Sequence, residues 1–101
     1  MPHRLIELHP GAIEELREAR LWYSERSGAT ADRFIREVDR AMGLIAESPD
    51  RWPAYRRGTR RFLLHRFPFL LVYHEEQDVI KVLAVAHTSR RPGYWRDRLS
   101  E

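Results

Sequence analysis

Several side chains in the second half of the chain can exchange protons or stabilise negative charge. An imidazole, a phenol and three guanidinium groups are supplied by His87, Tyr94, Arg61, Arg90 and Arg91. General acid–base transfer and charge stabilisation are what cleavage of an RNA phosphodiester needs when no metal takes part. His87, Tyr94, Arg61 and Arg90 therefore form a candidate catalytic set, should the protein be a nuclease. A histidine at a strand end is, however, more often a hydrogen-bonded structural residue.

Arginine is concentrated in the same half. Residues 1–50 hold seven arginines and ten acidic residues, whereas residues 51–101 hold ten arginines, Lys81 and five acidic residues, within a net charge of +3. The guanidinium group pairs bidentately with phosphate or carboxylate. This asymmetry predicts a surface that meets an acidic partner. The candidates for binding the target are Arg56, Arg57, Arg60, Arg91, Trp95 and Arg96. A GC-rich genome would also favour arginine over lysine, and the run 56–61 also fits a solvated loop.

Other chemistries have little support in the sequence. The chain has no cysteine, so it has neither disulfides nor thiolate metal ligands. His3, His9, His65 and His74 lack the spacing of a metal site. No glycine-rich phosphate loop is present. We therefore expect neither a metal nor a cofactor.

Size and composition predict one soluble domain. The 101 residues are 43% hydrophobic, with charged residues interleaved. No apolar run approaches the length of a membrane span, and the first residues lack the apolar region of a signal peptide. We expect a single domain over residues 1–101, located in the cytoplasm.

The first half predicts one strand and two helices. Residues 3–8 are β-permissive, and Pro10 suits the first turn of a helix. Ser27 and Gly28 should end that helix, with Gly28 as a left-handed cap. Thr30 should then cap a second, strongly amphipathic helix that ends at Ser48 and Pro49.

The second half predicts a β meander after a loop over 49–60. Its strands are 61–67, 69–74 and 79–87, with a polar turn at 75–78. The last strand is apolar on both faces, which is typical of a central strand. One face would carry Ile80, Val82, Ala84 and Ala86, and the other Leu83 and Val85. The order β-α-α-β-β-β, followed by a short C-terminal tail, predicts an α+β fold in which a helical hairpin covers a mostly antiparallel sheet.

Together with that element order, several local motifs resemble the RelE/ParE toxin family. Ser48-Pro49 follows the second helix, and Arg60-Arg61-Phe62 opens the meander. The segment 67–73 (FPFLLVY) resembles the family's central strand. The segment 79–87 (VIKVLAVAH), followed by Arg90-Arg91-Pro92-Gly93-Tyr94-Trp95, resembles its last strand and exit.

The resemblance implies the toxin of a bacterial type II toxin–antitoxin module, with roles in plasmid stabilisation or stress. Such toxins inhibit growth until a cognate antitoxin neutralises them. The resemblance does not decide whether toxin and antitoxin also assemble into a larger complex. RelE-like members cut mRNA in the ribosome without a metal. ParE-like members poison DNA gyrase, and no hydrolysis is attributed to them.

Two departures favour the ParE-like branch. The nuclease branch has an arginine three residues before the tyrosine that matches Tyr73, where this chain has Leu70. It also has a basic residue at the position of Thr88. Tyr94, in contrast, matches a tyrosine of the nuclease branch. The leading interpretation is a gyrase poison. The alternatives are a ribosome-dependent mRNA endonuclease and a non-toxic nucleic-acid-binding module.

Large aromatic residues are the candidates for binding the antitoxin. Trp22, Tyr23 and Trp52 are of the kind that anchor a docked partner helix. The resemblance implies an antitoxin with an acidic, disordered C-terminal segment, which suits the basic second half. Trp22 fits a core position equally well.

Overall fold

A computed structural model of the chain describes residues 4–100. Its regular elements are β1 (Leu5–Leu8), α1 (Pro10–Ser24), α2 (Gly28–Glu47), β2 (Arg60–Leu63), β3 (Phe69–Glu76) and β4 (Val79–His87). Short 3₁₀ turns follow α2 at Pro49–Arg51, precede β2 at Arg56–Gly58 and close the tail at Arg96–Ser100. The predicted element order is confirmed. The start that we predicted for the first strand, at His3, lies outside the described residues.

The strands form one mixed sheet in the order β1-β4-β3-β2. β2, β3 and β4 make an antiparallel meander, while β1 pairs in parallel with Val79–Val82. β4 is therefore internal, as its two apolar faces predicted. The predicted α+β fold is confirmed.

The two helices pack on one face of the sheet, here called the helix face. Alanines at positions 12 and 19 are buried, and these small side chains allow α1 to lie close against β4. In α2 the buried residues recur at helical spacing: Ala31, Phe34, Val38, Ala41 and Ile45.

The break between the helices differs from the prediction. α1 ends at Ser24, and Ser27 caps α2 by accepting a hydrogen bond from the Thr30 amide. Gly28 begins α2 rather than ending α1, and Thr30 lies in the first turn. The serine oxygen satisfies one of the free amides at the helix start, so a glycine cap is not needed here.

Strand bounds also shift. The first meander strand ends at Leu63 rather than at 67, while the second extends to Glu76. Gln77 and Asp78 both adopt positive φ, 52° and 67°, as in a two-residue type I′ hairpin turn. The polar residues 75 and 76 therefore continue the strand instead of forming the turn.

A β-bulge changes the faces of β4. Val72 pairs with Ala84 and Tyr73 with Val82, which leaves Leu83 as an extra residue. Ile80 and Val82 lie on the helix face, but Ala84 and Ala86 lie on the other side of the sheet. Our assignment of all four residues to one face was wrong, because the extra residue of the bulge reverses the side of the sheet on which the following residues lie.

The opposite side of the sheet, here called the tail face, has a small core of its own. Trp95 from the tail packs there among Val72, Leu83, Ala84 and Ala86, beside Tyr55. Tyr73 lies in the helix-face core, and its hydroxyl donates to the Pro49 carbonyl at 2.6 Å. Among the described residues, no helix is long and apolar enough to cross a membrane.

Candidate functional site

A groove of about 410 Å³ runs between α1 and the end of the β3–β4 pair. α1 lines one side of it, and the residues that begin β3 and end β4 line the other. Its lining residues are Glu15, Glu18, Ala19, Trp22, Tyr23, Pro68, Phe69, Val85, His87 and Arg90. Residues that we had assigned to two separate sites, for catalysis and for antitoxin binding, therefore meet in one groove.

One flank of α1 forms the helical wall. Glu15, Glu18, Ala19 and Trp22 recur at i, i+3, i+4 and i+7, so they share a stripe beside the buried one. The Trp22 side chain is 51% exposed and its ring contacts Tyr23 edge-on at 5.1 Å. Trp22 is therefore a surface residue and not a core residue.

The groove lies over an open strand edge. β1 ends at Leu8 and pairs only with Val79–Val82, so among the described strands none lies beside residues 83–87 on that side. Glu15 accepts a hydrogen bond from the Val85 amide at 3.0 Å, and Arg98 donates to the Leu83 carbonyl at 2.9 Å. Side chains thus take the place of a neighbouring strand and block part of the edge.

Glu15 is the centre of a polar cluster that fixes the C-terminal tail. Arg98 donates to both of its carboxylate oxygens at 3.0 Å, and the Tyr94 hydroxyl donates to Oε2 at 2.6 Å. Both charged side chains are largely shielded, at 15% and 20% exposure. Burial, reinforced by the bond to Glu15, raises the pKa of Tyr94. Tyr94 is therefore poorly suited to give up a proton.

His87 also has a structural role. Its ring packs edge-on against Phe69 at 5.1 Å, on the helix face. Its Nδ1 accepts a hydrogen bond from the Ser89 amide at 3.1 Å, and the Ser89 hydroxyl lies 2.8 Å from the same atom. Nδ1 is therefore already engaged as an acceptor within the turn 87–89.

The candidate catalytic set is not assembled in one place. Arg61 is paired with Val72, a tail-face residue, and its guanidinium lies 5.5 Å from the Tyr55 ring. His87 and Arg90 line the groove on the other side of the sheet. Arg61 and His87 therefore lie on opposite faces of the sheet, because alternation along β2 and the bulge in β4 orient them away from each other.

The residues predicted to bind the target also divide. Arg56, Arg57, Arg91 and Arg96 are exposed, in the two segments that contribute Tyr55 and Trp95 to the tail face. Trp95 is 1% exposed and belongs to the core, so it cannot touch a partner directly. Arg60 alternates with Arg61 along β2 and donates to the Trp52 carbonyl at 2.6 Å, on the side away from the other arginines.

The predicted antitoxin anchors are split as well. Trp22 and Tyr23 line the groove, but Trp52 does not. Trp52 packs on Phe62 at 4.6 Å near the β2 edge, and its Nε1 is buried without a partner among the described residues.

Sequence reasoning missed the cluster of Glu15 with Arg98. Neither residue was among the predicted site residues. A usable signal existed in the position of Glu15, which lies three residues after the buried Ala12 and four residues before the buried Ala19. A carboxylate beside a buried stripe needs a partner, although spacing alone does not identify which one.

Comparisons with known proteins identify the family and the fold. A family profile described as the ParE toxin of the type II toxin–antitoxin system parDE matches residues 6–92. A structure titled a chromosomal ParDE toxin–antitoxin system from P. aeruginosa superposes with a TM-score of 0.74 at 16% identity, covering 84% of this chain and 96% of the other. No curated protein sequence matches significantly. The profile covers most of the chain, and the fold is the same; the protein belongs to the ParE toxin family of type II toxin–antitoxin systems.

Proposed function

We propose that the protein stops growth by poisoning DNA gyrase, and that its antitoxin neutralises it by docking in the groove beside Trp22 and Tyr23. Membership of the ParE toxin family supports an antitoxin partner. The choice of gyrase over the ribosome rests on the arrangement of the groups that a nuclease would need.

The separation of His87 from Arg61 carries this proposal. Metal-free RNA cleavage requires a base, an acid and cations within reach of the same phosphate. Here the sheet stands between the imidazole and Arg61, and Leu70 occupies the tail face at a position where the resemblance placed a nuclease arginine. Loss of one charge-stabilising donor commonly costs about 2.7–4 kcal/mol of transition-state stabilisation, so this arrangement argues against hydrolysis.

One observation favours the mRNA endonuclease as a second candidate. His87 and Arg90 line the same groove, and Arg90 lies 3.9 Å above the Tyr94 ring. A phosphate in the groove would meet a cation and an imidazole there. The engaged Nδ1 of His87 and the raised pKa of Tyr94 make this site a weak acid–base pair.

The groove suits the antitoxin because it joins an apolar wall to an open strand edge. Trp22, Tyr23 and Phe69 supply aromatic surface, and Arg90 supplies a cation at the rim. Large aromatic side chains are the usual anchors of such interfaces. An acidic segment that folds on contact would bury them and pair with the arginine.

Expression in cells that lack the antitoxin tests the proposal. We expect filamentation and a DNA-damage response while total mRNA stays intact. The variant His87→Ala, exposed and outside the core, should be as toxic as the wild type. Rapid loss of mRNA with normal supercoiling, abolished by His87→Ala, would establish the endonuclease instead.

A further inference from the structure

Five arginines belong to the two distant segments that meet at the tail-face core. This arginine face consists of Arg56, Arg57, Arg61, Arg91 and Arg96. The two segments meet where Tyr55 contacts Trp95, with ring centroids 6.1 Å apart. The Arg56 side chain approaches Gly93, where an added Cβ would lie 3.8 Å from its Cδ.

Within residues 4–100 none of these arginines has a carboxylate partner, whereas two of the five arginines within α1 and α2 do. Arg17 and Arg40 each pair with a glutamate one turn away, at 2.6 and 2.9 Å. Among the described residues no ion pair involves any member of the arginine face. Residues 51–74 and 79–96 contain no acidic residue, and Asp97 follows directly after the second range. Positive charge is therefore left uncompensated on one side of the molecule.

The aromatic residues under this surface are not available to stack with bases. Trp95 is buried, and Arg61 lies over the Tyr55 ring at 5.5 Å. Proteins that bind single strands combine a basic groove with exposed aromatic platforms. A surface of guanidinium groups without such platforms suits the phosphates of a duplex, whose bases are already stacked.

We propose that the arginine face binds the phosphate backbone of double-stranded DNA without reading its sequence. Arg57 lies in a left-handed turn, at φ 58°, and Arg91 begins the turn that leads to Tyr94, so each of these exposed arginines adjoins one of the two segments. This goes beyond the gyrase proposal, since it names the duplex that gyrase holds as the ligand of this surface. It is tested on the protein alone, so its failure leaves the gyrase proposal standing.

Counterion release sets the expected salt dependence. Each neutralised phosphate contributes a slope of about −0.9 to the logarithmic plot of affinity against salt. Five contacts give a slope of about −4.5. Affinity for the duplex should then fall about 500-fold between 50 and 200 mM salt.

The experiment measures binding to a 20-base-pair duplex by fluorescence anisotropy at several salt concentrations. Arg57→Asn with Arg91→Gln removes two charges from the arginine face, and asparagine tolerates the left-handed turn. Arg20→Gln with Arg36→Gln removes two charges from the helices and serves as the matched control. Both pairs of residues are exposed, and circular dichroism verifies the fold of each variant.

We expect the first variant to reduce the salt slope by about 2 and the control to leave it near the wild-type value. Duplexes of unrelated sequence should bind equally well. An equal loss in both variants would show that net charge alone drives binding and would overturn the proposal. Tighter binding of a single strand, or equal competition by polyglutamate of the same charge, would overturn it as well.

Discussion

Glu15 should contribute more to stability than any other charged residue of α1. The change Glu15→Ala removes four hydrogen bonds at once, two to Arg98 and one each to the Val85 amide and the Tyr94 hydroxyl. It removes the shielded carboxylate that two guanidinium nitrogens of Arg98 contact, and it exposes the open edge of β4.

The magnitude follows from the shielding of this pair. Breaking a buried ion pair by removing one partner costs about 3–5 kcal/mol, because a charge is left uncompensated. Glu15 and Arg98 retain 15% and 20% exposure, so water can replace some of the lost contacts. We therefore expect a loss of about 3 kcal/mol, or a fall in Tm of roughly 12–24 °C for a domain of this size.

Chemical denaturation and calorimetry measure this loss directly. The matched control is Glu14→Ala, which breaks the neighbouring pair with Arg17, whose side chains are 56% and 67% exposed. Such a surface pair contributes about 0.5 kcal/mol or less. A loss for Glu15→Ala within 1 kcal/mol of the control would refute the role of this cluster in fixing the tail.

Three further predictions concern other parts of the molecule. Burial raises the pKa of Tyr73 to about 12 from about 10. Because the folded state then keeps a proton that the unfolded state releases, the free energy of unfolding should fall by about 2–3 kcal/mol as pH rises from about 10 to about 12. The variant Tyr73→Phe should show a smaller fall over the same pH range. Trp22→Ala should weaken antitoxin binding by about 30-fold in calorimetry, whereas the adjacent exposed Leu21→Ala should not. Gly11→Ala should lower the free energy of unfolding despite alanine's helix propensity, since its Cβ would lie 2.5 Å from the Arg98 guanidinium carbon.

Each of these has a clear contrary result. An alkaline titration that is identical in wild type and Tyr73→Phe would contradict the burial argument. Equal antitoxin affinity for Trp22→Ala and the wild type would show that the antitoxin does not dock in the groove beside Trp22. A gain in stability on adding the methyl group at Gly11 would mean that the arginine moves aside freely.

The sequence predicted the architecture because its signals are local. The amphipathic period of α2, the proline at the start of α1 and the doubly apolar β4 each reflect a face that must be buried. These signals identify elements and the position of β4 inside the sheet.

The sequence could not predict which side chains converge. The extra residue Leu83 reverses the faces of β4 from that point on, and no local pattern marks it. His87 and Arg61 were therefore expected together but lie apart, while His87 and Trp22 were expected apart but share a groove. Likewise, Glu15 and Arg98 are separated by most of the chain, so their pairing is a property of the fold and not of any spacing.

The most direct test of the gyrase proposal combines purified protein, DNA gyrase, ATP and supercoiled plasmid. We expect linear plasmid to accumulate once gyrase is denatured and digested, because a poison traps the enzyme with its DNA cut. Unchanged plasmid topology at saturating protein, together with cleavage of mRNA on translating ribosomes, would contradict the proposal.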